Sequence, residues 1–415
     1  MKYVILGNGA ASISAAEKLR QISDSCDITV VSVEDTPVYT KFMLPDYIGG
    51  KISREKLTLR DMNYYSQNRI KLLLGRNVEN IDSTNKLVRI ANGEELEYDK
   101  LLCAVGGKPV IPGIKGLKEI KYFTLNSIKD ADDIIENAKE GKKAKKAKKA
   151  VIVGAGLTGI ETAFALKRLG MTVTMVERET RILPRQLDSA AAEMLVDMIR
   201  KEDIELILGC GVQSVKSDNG FNIELSMGEK LRFDMLVISI GTSPNLEVVN
   251  GTGIKTNRGI LVNDYMETNI KDIYAAGDVA ELENDGNSGT VSSCIWPNAL
   301  AQGKCAASNM AGQVQQFSRD AGLSNAVRLR DVAFLSMGMI NPVEGEYEAL
   351  VYRDMDSHIY RKVVLKDNII KGMILLGDMS SGNILGDFIK KGRSISDIRD
   401  IILEKDFAAR YKKMM

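Results

Sequence analysis

Histidine occurs once in the 415 residues, at His358, between stretches that alternate like strands. Imidazole acid/base chemistry has little to draw on, and His358 is expected to serve the surface or the core. Cysteine occurs five times, at Cys26, Cys103, Cys210, Cys294 and Cys305, with neither a CxxC nor a CxxxxC spacing. An odd, scattered set fits reduced thiols, mostly buried, rather than a disulfide framework or a zinc site, so no metal is expected. No apolar run approaches the roughly 20 residues that span a bilayer. The chain opens on a strand without a basic, apolar and cleavable leader, and a cytoplasmic protein is expected. Charge of neither sign dominates: Lys+Arg number 56, Asp+Glu 55, and the net charge is +1. Nothing global favours nucleic acid or an anionic membrane. What is plentiful is chain and apolar side chain, 44% hydrophobic, enough for two or three globular domains.

One pattern occurs twice. Tyr3-Val4-Ile5-Leu6 reads as a buried strand, Gly7-Asn8-Gly9-Ala10-Ala11-Ser12 as a tight turn opening a small-residue helix, and Ile28 to Val33 as a second strand ending on Glu34. This is a βαβ dinucleotide fingerprint. The first glycine permits the turn, Gly9 lets backbone approach a pyrophosphate, and the helix start carries about +0.5 of an elementary charge. Glu34 is placed to hold a ribose hydroxyl. The third glycine position is Ser12, a small residue that loosens helix-on-strand packing modestly. Val151-Ile152-Val153-Gly154-Ala155-Gly156-Leu157-Thr158-Gly159-Ile160-Glu161 repeats the pattern with all three glycines, and Val173 to Val176 ends on Glu177. Two fingerprints with correct flanks define two nucleotide sites. Glu177 accepts hydrogen bonds from a free 2′-hydroxyl and repels a 2′-phosphate, so NADH is favoured over NADPH. Arg178 and Arg181 lie close enough to qualify that preference.

The run from Tyr39 to Gly50, with Lys41 and Phe42, resembles the segment after the FAD fingerprint in the FAD/NAD-linked pyridine nucleotide oxidoreductases. NADH oxidases, coenzyme A disulfide reductases, NADH:rubredoxin reductases and the flavin part of assimilatory nitrite reductases are the most similar members. The resemblance extends over nearly the whole chain. Leu101 to Gly107 is similar to the family's Ala-Thr-Gly segment, implying flavin-nucleotide contacts at Ala104, Val105 and Gly106, with Val105 in place of the usual Thr. Ile273 to Ala280 is similar to the motif that closes the FAD site, implying roles for Gly277 and Asp278. Trp296-Pro297-Asn298-Ala299 then starts the helix that family members run beside the flavin. Leu236 to Gly241 looks like the strand closing an inserted domain, with Thr242 to Asn245 as a turn.

The resemblance implies an α/β fold: a FAD domain, residues 1–110 and 246–322, interrupted by an NAD(H) domain, 111–245, and followed by an α+β tail, 323–415, for dimerisation or docking. It implies FAD on Gly7, Gly9, Ala10, Ala11, Ser12, Glu34 and Lys41, closed by Gly277, Asp278, Pro297, Asn298 and Ala299. NAD(H) falls to Gly154, Gly156, Leu157, Thr158, Gly159, Glu177 and Gly241. Glu161 stands beside the nicotinamide amide, and Lys41 faces the FAD where many relatives carry Arg; these two are the candidate catalytic residues. Thiol-dependent members carry a redox cysteine after the basic residue, whereas this chain has Phe42. The expected activity is NADH oxidation through FAD, with electrons passed to a rubredoxin- or ferredoxin-type carrier or an iron-sulfur subunit. A peroxide-forming NADH oxidase and a non-catalytic nucleotide-bound subunit of a larger redox complex are the alternatives. Six lysines between Lys142 and Lys149 read as a solvated connector or as a docking patch for an acidic carrier.

Overall fold

A computed structural model describes the chain except residues 92, 143–147, 218–219, 284–294, 320–323, 330–331, 343–344 and 415. Asn92, Cys294 and most of the lysine run lie outside the described residues. The described chain forms two compact units, Met1–Leu44 with Ile52–Pro109 and Thr242–Gly322, and Pro45–Lys51 with Val110–Gly241 and Leu323–Met415.

The first unit is built on a five-stranded parallel sheet, in the order Ile273–Ala275, Lys100–Cys103, Lys2–Leu6, Asp27–Val31, Ile70–Leu73. Its strands are short Val/Ile/Leu runs, Val4, Ile5, Leu6, Leu101, Leu102 and Cys103 all being buried. That is the composition of a sheet covered on both faces. Lys2–Leu6 lies between strands that come later in sequence on either side, so its carboxyl end is the crevice where such sheets take ligands. Helix Ala10–Ile22 covers the sheet and packs on helix Trp296–Met310, with Ser14 Oγ donating to Leu300 O at 2.7 Å. The contact is close because Gly303 has no side chain: a Cβ there would stand 2.1 Å from Ala11 O.

The second unit repeats the plan with a four-stranded parallel sheet, Ile204–Ile207, Thr172–Val176, Lys149–Val153, Met235–Ile238. Its helices start as their sequences dictate. Asp188 caps Ser189–Lys201 by accepting from Ala191 N–H at 3.0 Å. Ser127 Oγ accepts from Asp130 N–H while the Asp130 carboxylate accepts from Ser127 N–H, a reciprocal box opening Ile128–Lys142. The tail is a five-stranded antiparallel sheet, Ser324–Leu329, Val332–Gly338, Ile369–Leu376, Ile359–Lys366, Glu348–Asp354. Helices Gly382–Lys391 and Phe407–Met414 follow, and Val363, Met373, Leu385, Phe388 and Phe407 share a core there.

Two local expectations change: the strand expected over Ile28 to Val33 ends at Val31, three residues short of Glu34, and the expected turn after Gly241 is extended. Thr242–Pro244 is a strand, not a turn, paired antiparallel with Gly107–Pro109. Gly107 makes the pairing fit, because a Cβ there would come within 2.9 Å of Ser243 O. The closing helix Phe407–Met414, eight residues long, went unread because it is too short for an apolar period to declare itself.

Candidate functional site

In the first unit, the turn after Lys2–Leu6 is shaped by backbone need. Gly7 has φ +99°, and a Cβ there would lie 2.2 Å from Ala104 O. Its N–H donates to Val31 O at 2.7 Å, stitching the turn to the neighbouring strand. Gly9 is the N-cap of Ala10–Ile22 and supplies no side-chain cap, while a Cβ on it would meet no protein atom within 4 Å. The helix start therefore offers free N–H groups to open space, the requirement for an anionic ligand. Ala10, Ala11 and Ser12 are buried.

The same end of the sheet collects the other candidates. Glu34 is gripped from two sides: Tyr39 Oη donates to Oε2 at 2.6 Å and Lys41 Nζ reaches Oε1 at 2.9 Å. Lys41 is thus tied to Glu34, and its charge also tempers Asp278, whose carboxyl burial pushes above its ordinary range. Ala104 N–H donates to Leu6 O at 2.8 Å, and Val105 O and Gly106 O accept from Asn245 at 2.9 and 3.0 Å. Gly277, at φ +79°, donates its N–H to Gln302 Oε1 at 2.7 Å, and a Cβ on it would approach that of Ala11 to 3.2 Å. Pro297 opens helix Trp296–Met310, which also lacks a side-chain cap, and Asn298 and Ala299 are buried in its first turn.

Three buried polar atoms here have no protein partner: Asn8 Nδ2, Ser12 Oγ and Asn298 Oδ1. Orphaned groups of this kind are costly unless a ligand or water satisfies them. Together with the two uncapped helix starts and the open face of Gly9, they fit a polar, anionic nucleotide such as FAD. Sequence reasoning gave no individual role to Asn8, whose Oδ1 accepts from Tyr65 Oη at 2.8 Å, or to Tyr39, Gln302 and Gly303. Asn8 lies inside the fingerprint and was there to be read. Gln302 and Gly303 are placed by contacts distant in sequence, to Gly277 and Ala11, and Tyr39 by an irregular loop that returns it to Glu34.

The second unit carries a parallel arrangement. Gly154, φ +106°, would bring a Cβ to 2.2 Å from Ser239 O, and its N–H donates to Val176 O at 2.8 Å. Gly156 is the uncapped N-cap of Leu157–Arg168 and faces open space, while Leu157 and Thr158 form the first turn. Gly159 sits where a Cβ would be 2.2 Å from Gly154 O, the close packing that Ser12 forgoes in the other loop. Glu177 Oε2 accepts from Ala155 N–H at 2.7 Å and Oε1 from Glu179 N–H at 2.9 Å, which holds the carboxylate beside the glycine loop. Gly241 ends the inserted stretch at φ +112°, its carbonyl accepting from Val110 N–H. Glu161, four residues into the helix, is pushed up to about 7 by burial and by Asp46, against the opposing charge of Lys51.

The described thiols are quiet. Cys26, Cys103, Cys210 and Cys305 are free and buried, and burial pushes Cys103 up to about 12 and Cys305 to about 11. Phe42 is exposed and makes an edge-to-face contact with Trp296, ring centroids 5.5 Å apart. No helix among the described residues is long and apolar enough to cross a membrane.

Two parallel sheets, each with a glycine turn, an uncapped helix and an acid just beyond the next strand, define a protein with two dinucleotide-type loops. Residues 1–303 match the family model described as pyridine nucleotide-disulphide oxidoreductase, and residues 324–393 match that of the rubredoxin NAD+ reductase C-terminal domain. The chain belongs to the pyridine nucleotide-disulphide oxidoreductase family, whose cofactors are FAD and NAD(H). It is 31% identical to the nitrite reductase [NAD(P)H] of Bacillus subtilis (strain 168) over 96% of its own length and 48% of that protein, so it spans about half of that relative. It is 30% identical to the NADH-rubredoxin oxidoreductase of Clostridium acetobutylicum, over 96% of this chain and 97% of the other. Among solved structures, an NAD-dependent persulfide reductase from A. fulgidus superposes with a TM-score of 0.87 at 28% identity, covering 97% of this chain and 78% of that one.

Proposed function

We propose that this chain is an FAD-dependent NADH dehydrogenase that hands electrons to a small iron-sulfur carrier of the rubredoxin or ferredoxin type, or to an iron-sulfur partner subunit, without a redox-active cysteine. The observation that carries the reading is the pairing of two uncapped glycine loops, each with its own acid, with Phe42 where thiol-dependent relatives place cysteine. In this assignment residues 1–110 and 246–322 hold FAD, residues 111–245 hold NAD(H), and residues 323–415 serve docking or dimerisation. The buried free thiols fit a cytoplasmic location.

Gly7, Gly9 and the start of Ala10–Ile22 take the FAD pyrophosphate, Glu34 the adenosine ribose, and Asp278 with the start of Trp296–Met310 the flavin end. Gly154, Gly156, Thr158 and Gly159 take the NADH pyrophosphate, Glu177 its ribose, and Glu161 the carboxamide. Bound flavin supplies the two-electron chemistry that accepts reducing equivalents from NADH and releases them to a one-electron acceptor. The residues contribute alignment and electrostatics: a partial positive charge at a helix start favours the anionic reduced state, and Lys41 adds to it.

The test is anaerobic stopped-flow reduction followed by mixing with rubredoxin, ferredoxin and oxygen. NADH should bleach the flavin faster than NADPH, Glu177→Ala should narrow the difference, and an iron-sulfur carrier should reoxidise the protein faster than oxygen does. Oxygen consumption indifferent to added carriers would favour a peroxide-forming oxidase instead. A flavin that NADH does not bleach would point to a non-catalytic subunit.

A further inference from the structure

The assignment of Glu177 to the nicotinamide-nucleotide ribose leaves two guanidinium groups unexplained, Arg178 and Arg181, within four residues of it. A 2′-phosphate is the ligand that an arginine at this place would welcome, since the guanidinium fork matches phosphate oxygens bidentately. Both arginines are engaged elsewhere. Arg178 Nη2 pairs with Glu179 Oε1 at 3.2 Å. Arg181 Nη1 donates to Ser189 Oγ at 3.1 Å and its Nη2 to Pro184 O at 3.4 Å. The backbone fixes the first pairing as well: Glu179 N–H donates to Glu177 Oε1, so the carboxylate that would meet the ribose also sets the turn from which Glu179 projects.

Resting on that reading of Glu177, we propose that Glu179 is a specificity-determining residue, which excludes NADPH by occupying Arg178. Glu177 repels the phosphate directly, and Glu179 withholds the nearest cation that would offset the repulsion. Arg181 is held by neutral oxygens, so it does not supply the missing charge without breaking two hydrogen bonds.

The Arg178–Glu179 pair is exposed, with side chains 83% and 58% accessible. Its effect on discrimination is therefore small and salt-sensitive, about two- to fivefold at low ionic strength. The experiment measures kcat/KM for NADPH relative to NADH by anaerobic flavin reduction, and the affinities for NADP+ and NAD+ by titration of the holoprotein, in the parent, Glu179→Ala, Arg178→Ala, the double variant and Glu177→Ala. Glu179→Ala should raise the NADPH:NADH ratio and the relative NADP+ affinity by that factor, and the gain should vanish in the double variant and shrink at high salt. A ratio unmoved by Glu179→Ala, or a gain that survives removal of Arg178, overturns the proposal. The Glu177→Ala arm reports separately on the ribose assignment: if it leaves the ratio unchanged, that assignment falls, whatever Glu179 does.

Discussion

At the scale of single residues, the two glycines of the first loop do different jobs, and substitution separates them. Gly7 answers to the protein: at φ +99° an added Cβ would both strain the backbone and meet Ala104 O at 2.2 Å. Gly7→Ala should destabilise the flavin-free protein by about 2 kcal/mol or more. Gly9 answers to the ligand, since its φ of −102° suits any residue and no protein atom lies within 4 Å of the added carbon. Gly9→Ala should leave flavin-free unfolding within about 0.5 kcal/mol of the parent while lowering FAD affinity. Denaturant unfolding of the flavin-free variants and FAD titration check both, and full flavin retention by Gly9→Ala would disprove the pyrophosphate assignment. The glycine pattern was legible because its spacing is local. The Tyr39 and Lys41 grip on Glu34 was not, because an irregular loop has no period from which to read where its side chains point.

At the scale of elements, residues Pro45–Lys51 leave the unit of their sequence neighbours and pack with the second, along helix Leu157–Arg168. Gly49 makes this close approach: its Cβ would stand 3.2 Å from the Arg168 guanidinium and 3.4 Å from Ala165 Cα. Asp46 pairs with Lys51 at 2.8 Å and with Arg168 at 3.8 Å, and Tyr47 Oη donates to Asp132 at 2.6 Å. Glu161, Ala165 and Arg168 are spaced i, i+4, i+7 and share the helix face that this segment covers. Glu161 is thereby raised from 4.5 to about 7, with burial the first cause and Asp46 the second. A carboxyl whose folded value lies above its unfolded one costs stability as pH rises through that interval, and the cost is complete above the folded value. Glu161→Gln should therefore melt higher than the parent at pH 8, with most of the gain gone at pH 5; an equal difference at both pH values would refute the assignment. The parallel strands were readable from their apolar runs. The excursion of Pro45–Lys51 was not readable, because its partners sit more than eighty residues away and carry no local signal.

At the scale of the second unit as a whole, Asp188 ties the tail sheet to the nucleotide-binding part. One carboxylate oxygen caps helix Ser189–Lys201, and the other accepts from Tyr360 Oη at 2.6 Å and Lys362 Nζ at 2.8 Å. Asp188 and Lys362 are 13% and 10% accessible, so solvent screens the pair little. Burial works against the Asp188 charge, but the hydrogen bonds from Lys362, Tyr360 and Ala191 prevail and hold its carboxyl below the ordinary range. Nothing local in the sequence links Asp188, at the start of helix Ser189–Lys201, to the tail strand Ile359–Lys366. Their meeting across 172 and 174 residues is a property of the assembled unit. Asp188→Ala removes the cap and leaves the Lys362 ammonium buried without its counter-charge, a loss of about 3–5 kcal/mol. Asp188→Asn keeps an acceptor for Ala191 N–H while its amide N–H₂ faces Tyr360 Oη, and should lose less. Adding Lys362→Met to Asp188→Ala should recover part of the loss, since the unpaired charge goes with it. Because a lowered carboxyl contributes stability that is lost as pH falls through its folded value, the gap between parent and Asp188→Ala should close under acid. Chemical denaturation of the four proteins at pH 7 and pH 3 measures all of this. If Asp188→Ala and its double variant unfold alike, the ammonium is not what the carboxylate holds, and the tail is anchored by its apolar core alone.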